Sequence, residues 1–293
     1  MSEQTTTQDS VRANGLEFHY LSQGEGPLLL CLHGFPDCPQ TFAAQFKYFA
    51  GLGYRVVAPY MRGYHPATIP ADGCYLSAAL GHDASALIDA LGYDQAVVYG
   101  HDWGTAAAQG AALFAPEKVS RLITSAVPYG TAMFDAFIGN AEQQRRSWYM
   151  FFFQLPFAEA AVSLNNYAFI RRLWQDWSPG WAFPESSLQA VLDTLDKPGV
   201  LSATLGYYRA LFDPAQQADR YATDQARLGE SITVPTLHLH GALDGCIGPE
   251  LLAGMEQFFS AGLTIDVLPA AGHFLHQEDP AHVNAAIAAF LES

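Results

Sequence analysis

The chain has 293 residues, of which half are hydrophobic and 15% are charged, so it is long enough to bury a sizeable core. Lys and Arg number 14 against 29 Asp and Glu, a formal net charge of -15 at pH 7. Such a charge repels phosphate backbones and anionic lipid, so it argues against nucleic acid and membrane surfaces as partners. A small, neutral, fairly apolar substrate fits the composition better.

Composition gives no sign of a metal site, a disulfide framework or a targeting segment. The chain contains four cysteines without metal-type spacing, namely Cys31, Cys38, Cys74 and Cys246. His238 and His240 share one face of a predicted strand, but no third ligand is suitably spaced, so we favour structural roles for both. Residues 1–10 are polar, unlike a signal peptide, and no apolar stretch approaches a membrane span. We expect a cytoplasmic protein without metal, with a homodimer left open.

The predicted elements alternate between strand and helix. After a polar lead-in, residues 16–22 predict a strand that ends at a Gly-Glu-Gly-Pro turn. Short apolar runs, typical of strands covered on both faces, follow at 28–32, 55–58, 96–99, 122–127, 235–239 and 263–268. Helical patterns lie at 78–91, 105–114 and 280–291. This rhythm predicts a mostly parallel, doubly wound α/β sheet with right-handed crossovers.

One region interrupts this rhythm. Residues 131–228 contain no short apolar run, and aromatic-rich helical stretches are densest at 148–153 and 205–212. We interpret the region as a helical cap inserted between two parts of the core, 1–130 and 229–293. Its aromatic side chains suit a lid over an apolar cleft. For most of these rings, however, packing within the insertion is the simpler interpretation.

A candidate nucleophile stands where the run at 96–99 meets the next helical pattern. The chain reads Gly100-His101-Asp102-Trp103-Gly104 and continues into a small-residue helix. This layout matches a nucleophile elbow, in which the central residue occupies a strained turn and glycines leave room around it. A helix N-terminus there favours negative charge. The alternative is a plain helix cap by Asp102, but the strand before and the helix after favour the catalytic interpretation.

The remaining candidates follow in the order nucleophile, acid, base that this layout requires. Asp244 and His273 each come just past one of the last two predicted strands, where the acid and the base belong. His276 is a second candidate for the base, and Asp266, which lies inside a strand, is a weaker candidate for the acid.

A loop after the first buried strand completes the predicted machinery. It reads His33-Gly34-Phe35-Pro36-Asp37. In this layout the loop supplies one backbone N–H of an oxyanion hole, from Phe35, and Trp103 supplies the other. A simple Gly-Pro turn is the alternative. The roles of His101 and Asp37 stay open.

Taken together, these motifs resemble those of the epoxide hydrolases of the α/β-hydrolase fold, over nearly the whole chain from about Leu16 onward. The resemblance rests on the two glycine-containing motifs above, on Asp244 and on Gly272-His273. It extends into 131–228, where residues 149–154 and 206–209 look like the two lid-tyrosine segments of the family. It therefore implies lid tyrosines at Tyr149 and Tyr208, with the adjacent Tyr207 left open as an alternative to Tyr208.

The resemblance implies hydrolysis of a small apolar epoxide to a vicinal diol, with water and without a cofactor. Asp102 would attack an epoxide carbon and form an ester, while the lid phenols, protonated at neutral pH, hold the ring oxygen. His273, oriented by Asp244, would activate water to hydrolyse the ester. The oxyanion would rest on the two N–H groups named above. Phe35, Trp103 and the two lid tyrosines would also contact the substrate.

Other functions fit parts of the pattern. A haloalkane dehalogenase shares the aspartate nucleophile, and Trp103 would suit a halide, but that family usually carries Asn at the position of Phe35. A fluoroacetate dehalogenase would place Arg where Trp103 stands, and an ester hydrolase would prefer Ser to Asp102. A ligand-binding protein that kept the fold and lost turnover is a further alternative, against which the complete motif set argues.

Overall fold

The computed structural model describes residues 5–213 and 220–293. Eight strands within these ranges form one sheet: β1 (Thr7–Ala13), β2 (Leu16–Gln23), β3 (Leu28–Leu32), β4 (Arg55–Pro59), β5 (Ala96–His101), β6 (Val119–Ser125), β7 (Thr236–Gly241) and β8 (Leu263–Leu268). Their order is β1-β2-β4-β3-β5-β6-β7-β8. The pairs β1/β2 and β2/β4 are antiparallel, and every other neighbouring pair is parallel. The predicted mostly parallel sheet is confirmed.

Strand β1 lies in the segment that the sequence analysis treated as a polar lead-in, and that interpretation was wrong. The strand pairs with β2 along its whole length, with Val11 opposite Phe18. It lies at the edge of the sheet, and six of its seven residues are exposed or half-buried. Because its packing does not require apolar side chains, no alternating pattern marks it. The run predicted at 122–127 is also displaced, since β6 begins at Val119 and ends at Ser125.

Helices cover both faces of the sheet. The α-helices of the described residues are α1 (Ala43–Gly51), α2 (Ser77–Ala90), α3 (Trp103–Phe114), α4 (Ala132–Gly139), α5 (Ala141–Arg146), α6 (Trp148–Phe152), α7 (Ala158–Trp177), α8 (Glu185–Leu195), α9 (Val200–Phe212), α10 (Ala222–Gln225), α11 (Leu275–Glu278) and α12 (Pro280–Glu292). Alternate residues of β3 sort to opposite faces: Leu29 packs in the cluster with α1 and α12, whereas Leu30 packs in the cluster with α2 and α3.

The helices α4 to α9 follow β6 in the chain and precede β7. Helix α7 is interrupted: Leu164 is extended, and Asn165, Asn166 and Tyr167 have φ near 53–56°, in the left-handed region. Across the described part of the chain, no helix is both long enough and apolar enough to cross a bilayer.

A buried ion pair ties α2 to the loop after β4. Arg62 donates two hydrogen bonds of 2.6 Å to the carboxylate of Asp83, and Asn14 donates a third, of 2.7 Å, to the same carboxylate. Such bidentate pairing compensates the desolvation of both charges. Nothing local in the sequence marks two charged residues 21 positions apart as neighbours, so this pair could not be predicted.

Candidate active site

Asp102 occupies a strained turn between β5 and α3. Its backbone has φ 53° and ψ −121°, which costs a non-glycine residue about 1–3 kcal/mol. The flanking glycines are needed for space. A Cβ on Gly104 would lie 1.9 Å from the carbonyl oxygen of Leu32, and one on Gly100 would lie 2.2 Å from the carbonyl oxygen of Gly104. The turn has the geometry that a nucleophile elbow requires.

The two oxygens of the Asp102 carboxylate have different neighbours. Oδ1 accepts a hydrogen bond of 2.7 Å from the backbone N–H of Phe35, which precedes a cis peptide bond to Pro36. A Cβ on Gly34 would lie 2.2 Å from Oδ1 and 2.6 Å from the backbone nitrogen of Trp103. Oδ2 lies 3.6 Å from Nε2 of His273. One oxygen therefore faces a backbone donor and the other faces the candidate base.

His273 and Asp244 form a buried pair behind this carboxylate. Nδ1 of His273 lies 2.9 Å from Oδ2 of Asp244, and Oδ1 of Asp244 accepts hydrogen bonds of 2.7 and 2.9 Å from the N–H groups of Cys246 and Ile247. The carbonyl oxygen of His273 accepts a hydrogen bond of 2.9 Å from Nε2 of His101. The His273 ring is thus fixed in orientation, with Nδ1 on Asp244 and Nε2 directed at Asp102.

His273 and Asp244 each shift the pKa of the other toward its charged form. Burial would lower the pKa of His273, but the carboxylates of Asp244 and Asp102 outweigh it and raise the pKa to about 10. Burial would raise the pKa of Asp244, but the His273 imidazolium and its hydrogen bond outweigh it, and the net shift is downward. With a pKa of about 10, His273 is an imidazolium at neutral pH.

An apolar cavity of about 300 Å³ opens above Asp102. It is lined by Ser77, Asp102, Trp103, Ala106, Val127, Gly130, Met133, Phe134, Phe137, Tyr149, Met150, Tyr208, Leu211 and Ile247. This size suits a small ligand. The ring of Phe35 packs edge-on against Tyr208, with centroids 5.3 Å apart, behind this lining.

The structure separates the two adjacent tyrosines of α9. Tyr208 lines the cavity, and its hydroxyl has no hydrogen-bond partner within the described residues. Tyr207 points elsewhere and donates a hydrogen bond of 2.5 Å to the carbonyl oxygen of Arg62. Tyr149 lines the cavity, and its hydroxyl lies 3.3 Å from Sγ of Cys246. Burial raises the pKa of Tyr149 and Tyr208 well above the usual value near 10, so both phenols stay protonated.

The other candidates of the sequence analysis lie outside the cavity lining. His276 places Nε2 2.5 Å from Oγ1 of Thr41, and Asp266 pairs at 2.8 Å with His282 of α12. His238 and His240 are buried along β7: Nδ1 of His238 lies 2.9 Å from Oγ1 of Thr124, and Nε2 of His240 lies 3.0 Å from the carbonyl oxygen of Ile247.

Among residues 5–213 and 220–293, two buried groups of side chains have the ligand types that a metal ion requires. In each group the candidate ligand atoms lie within 4.8 Å of one another. One group is Asp244, Cys246 and His273, whose acid and base already hydrogen-bond each other. The other is Asp37, His101 and His276, behind the base. Burial raises the pKa of Asp37 to about 7 and lowers that of His101 to about 3.

The chain is similar to known proteins over most of its length. A model of the α/β-hydrolase fold family matches residues 27–280. Epoxide hydrolase 4 of Mus musculus is 31% identical over 96% of this chain and 78% of its own length, and epoxide hydrolase 3 of Xenopus tropicalis is 32% identical over 96% and 76%. The chain belongs to the epoxide hydrolase family of the α/β-hydrolase fold.

A solved structure of this family agrees with the assignment. A mutant epoxide hydrolase from Bacillus megaterium, complexed with its product (R)-3-[1]naphthyloxy-propane-1,2-diol, superposes with a TM-score of 0.83 at 29% identity, covering 97% of this chain and 100% of that one. The family resemblance and the fold class inferred from the sequence are both confirmed.

Two residues that contact the site of this epoxide hydrolase family member, Trp177 and Cys246, were not predicted from the sequence. Trp177, at the end of α7, has its ring 5.0 Å from that of His273 and 4.8 Å from that of Tyr149, centroid to centroid. Cys246 bonds to the Asp244 carboxylate through its N–H and contacts Tyr149 through its thiol. The position of Cys246, two residues after Asp244, offered a signal. Nothing in the sequence around Trp177 distinguishes it from other aromatic residues of the region.

Proposed function

We propose that the protein converts epoxides to vicinal diols through a covalent ester on Asp102, with residues 131–228 acting as a helical cap over the core parts 1–130 and 229–293. One observation carries the proposal: a carboxylate backed by a His–Asp pair shares an apolar cavity with two protonated phenols, Tyr149 and Tyr208. A nucleophile and proton donors in a single apolar cavity match what epoxide opening requires.

In the first half-reaction, Oδ2 of Asp102 attacks an epoxide carbon and the ring C–O bond breaks. Oδ2 is the suitable oxygen, because Oδ1 is already hydrogen-bonded to Phe35 N–H. The ring oxygen leaves as an alkoxide, which is a poor leaving group unless a donor stabilises it. Tyr149 and Tyr208 supply hydrogen bonds and a proton to that oxygen.

In the second half-reaction, His273 takes a proton from a water molecule, whose oxygen attacks the ester carbon. The developing negative charge falls on Oδ1, where the N–H groups of Phe35 and Trp103 form the oxyanion hole; each such donor is typically worth about 3 kcal/mol. The bond from the ester carbon to Oδ2 then breaks, and the His273 imidazolium protonates Oδ2 as it leaves with the diol. Asp244 stabilises the imidazolium that forms.

Formation of the ester on Asp102 makes His273 able to accept a proton. In the free enzyme, two carboxylates hold His273 in its charged form, and an imidazolium cannot accept a proton. Conversion of Asp102 to an ester removes one of these anions, so the pKa of His273 falls when the base is needed. The proton that His273 then loses restores the tyrosine phenol that protonated the alkoxide.

Ester trapping tests the proposal. Wild type, Asp102→Ala and His273→Gln are mixed with styrene-type, aliphatic and cyclic epoxides, quenched in acid and analysed by peptide mass spectrometry, with halide release from chloroalkanes as a parallel assay. We expect diol from wild type, neither ester nor diol from Asp102→Ala, and accumulated ester from His273→Gln. Tyr149→Phe and Tyr208→Phe should each slow epoxide turnover. Diol formation by Asp102→Ala, or halide release without diol formation by wild type, would contradict the proposal.

A further inference from the structure

The backbone around the candidate base is held by an unusual set of partners. Three consecutive N–H groups, those of Gly272, His273 and Phe274, donate hydrogen bonds to Glu278 and to the end of α7. Gly272 donates to Oε2 of Glu278 at 2.8 Å, and His273 donates to the carbonyl oxygen of Trp177 at 3.1 Å. Phe274 donates to Oγ of Ser178 at 3.1 Å.

Ser178 connects these bonds. Its hydroxyl donates a hydrogen bond of 2.6 Å to Oε1 of Glu278, the carboxylate that holds Gly272, while accepting the one from Phe274. The side chain is almost fully buried, at 1% exposure, so solvent cannot substitute for the hydroxyl. A single buried hydroxyl thus links both neighbours of His273 to the end of α7.

The same end of α7 also forms a hydrogen bond to the loop that carries Asp244. The carbonyl oxygen of Trp177 accepts a second hydrogen bond, of 3.0 Å, from the N–H of Gly245, the residue after Asp244. The packing here is close, because a Cβ on Gly245 would lie 1.9 Å from the carbonyl oxygen of Asp176. The loops that carry the acid and the base therefore meet at one carbonyl group of the region between β6 and β7.

We propose that Ser178 is a positioning residue for the hydrolysis step, acting through the backbone of His273. This inference rests on the proposed function. Nε2 of His273 must face the ester while Nδ1 stays on Asp244, and a displacement of about 1 Å costs up to a hundredfold in rate. In the proposed cycle the base is needed only after the ester has formed. Loss of the Ser178 hydroxyl therefore slows the second half-reaction selectively.

The test compares Ser178→Ala with Ser85→Ala in the intact protein. Ser85 is also buried, but its hydroxyl bonds to the carbonyl oxygen of Gly81 within α2, far along the chain from the site. Single-turnover rapid quench with styrene oxide, at excess enzyme, measures ester formation and ester hydrolysis separately. Thermal unfolding of each variant measures the loss of stability that any buried Ser→Ala change can cause.

We expect Ser178→Ala to slow hydrolysis of the ester about ten- to hundredfold and to form ester within about twofold of the wild-type rate. Ester should accumulate in this variant, whereas Ser85→Ala should match wild type in both steps. Glu278→Gln, which weakens the same linkage, should give a smaller loss of the same kind and serves if Ser178→Ala does not fold. Equal slowing of both steps, or hydrolysis within about twofold of wild type, overturns the inference.

A second measurement needs no substrate. The downfield proton resonance of the His273 Nδ1–H, bonded to Asp244, reports how firmly the imidazole is held. It should broaden or move upfield in Ser178→Ala and stay unchanged in Ser85→Ala, and an unchanged resonance in both variants overturns the inference. If wild type forms no ester with any epoxide, the proposed function fails, and this resonance alone decides the role of Ser178.

Discussion

Replacing Asp102 with Asn should convert His273 from an imidazolium to a neutral imidazole at neutral pH. The substitution keeps the shape of the side chain but removes its charge, as ester formation does in the proposed cycle. An anion near an imidazolium stabilises the protonated form, so removing the anion lowers the pKa of His273. The variant therefore isolates the charge change that we expect to activate the base.

The size of the expected fall in the pKa of His273 follows from its distance to Asp102. Oδ2 of Asp102 lies 3.6 Å from Nε2 of His273. At an effective dielectric constant of about 20, two unit charges at that separation interact by about 4–5 kcal/mol. Since about 1.4 kcal/mol corresponds to one pH unit, the pKa of His273 should fall by about three pH units. Starting from about 10, it would reach the neutral range, which suits a general base.

Nuclear magnetic resonance of protein labelled with ¹⁵N-histidine measures this change directly. The imidazole nitrogens of His273 are assigned by comparison with His273→Gln and followed against pH in wild type and in Asp102→Asn. In wild type we expect His273 to stay charged throughout the neutral range, whereas in the variant it should titrate near neutrality. A variant in which His273 is still charged above neutral pH would show that Asp244 alone sets its charge, and the activation by ester formation would then be refuted.

Three further predictions concern other parts of the molecule. Tyr208→Phe should lower kcat/KM for epoxides at least about tenfold, measured as diol formation, whereas Tyr207→Phe should leave it within about twofold; equal losses would refute the separation of the two tyrosines. Gly34→Ala, whose methyl group would enter the donor site at Oδ1, should lower kcat about a hundredfold or more, while Gly51→Ala, with open space around its Cβ, should match wild type. Asp83→Asn leaves a buried guanidinium uncompensated and should lower the free energy of unfolding by about 3–5 kcal/mol in urea titrations; a loss below about 1 kcal/mol would contradict this.

The central strands β3, β5 and β7 could be predicted because they are buried on both faces, whereas β8, predicted to be of the same kind, is mostly exposed or half-buried. Burial on both faces produces continuous apolar runs such as 28–32, which coincides with β3. The edge strand β1 has no such requirement, and its polar residues gave no signal. The left-handed turn at residues 165–167 could not be predicted either. Asn tolerates the left-handed conformation without requiring it, and Tyr167 does not favour it.

The residues of the candidate site also fall into those that could be predicted from the sequence and those that could not. Asp102, Asp244 and His273 each stand just beyond a strand end, and parallel strands bring such ends to one edge of the sheet. Tyr207 and Tyr208 could not be separated from spacing alone, because adjacent helical residues point about 100° apart and the axial rotation of α9 is set by packing. Ser178 carries no local signal at all, since its partners lie about 100 positions later in the chain.

The hydrogen bond from Phe35 N–H to Oδ1 makes the two carboxylate oxygens of Asp102 distinguishable over many catalytic cycles. In the proposed cycle Oδ2 departs in each diol, and an oxygen atom from solvent takes its place, while Oδ1 stays in its backbone site. In water enriched in a heavy isotope, the carboxylate would quickly gain one heavy atom and then stop. A second heavy atom could enter only after the side chain rotates and exchanges the two positions. The isotope content of Asp102 would thus record how often the carboxylate rotates and exchanges Oδ1 with Oδ2. The rate of diol formation does not reveal this rotation.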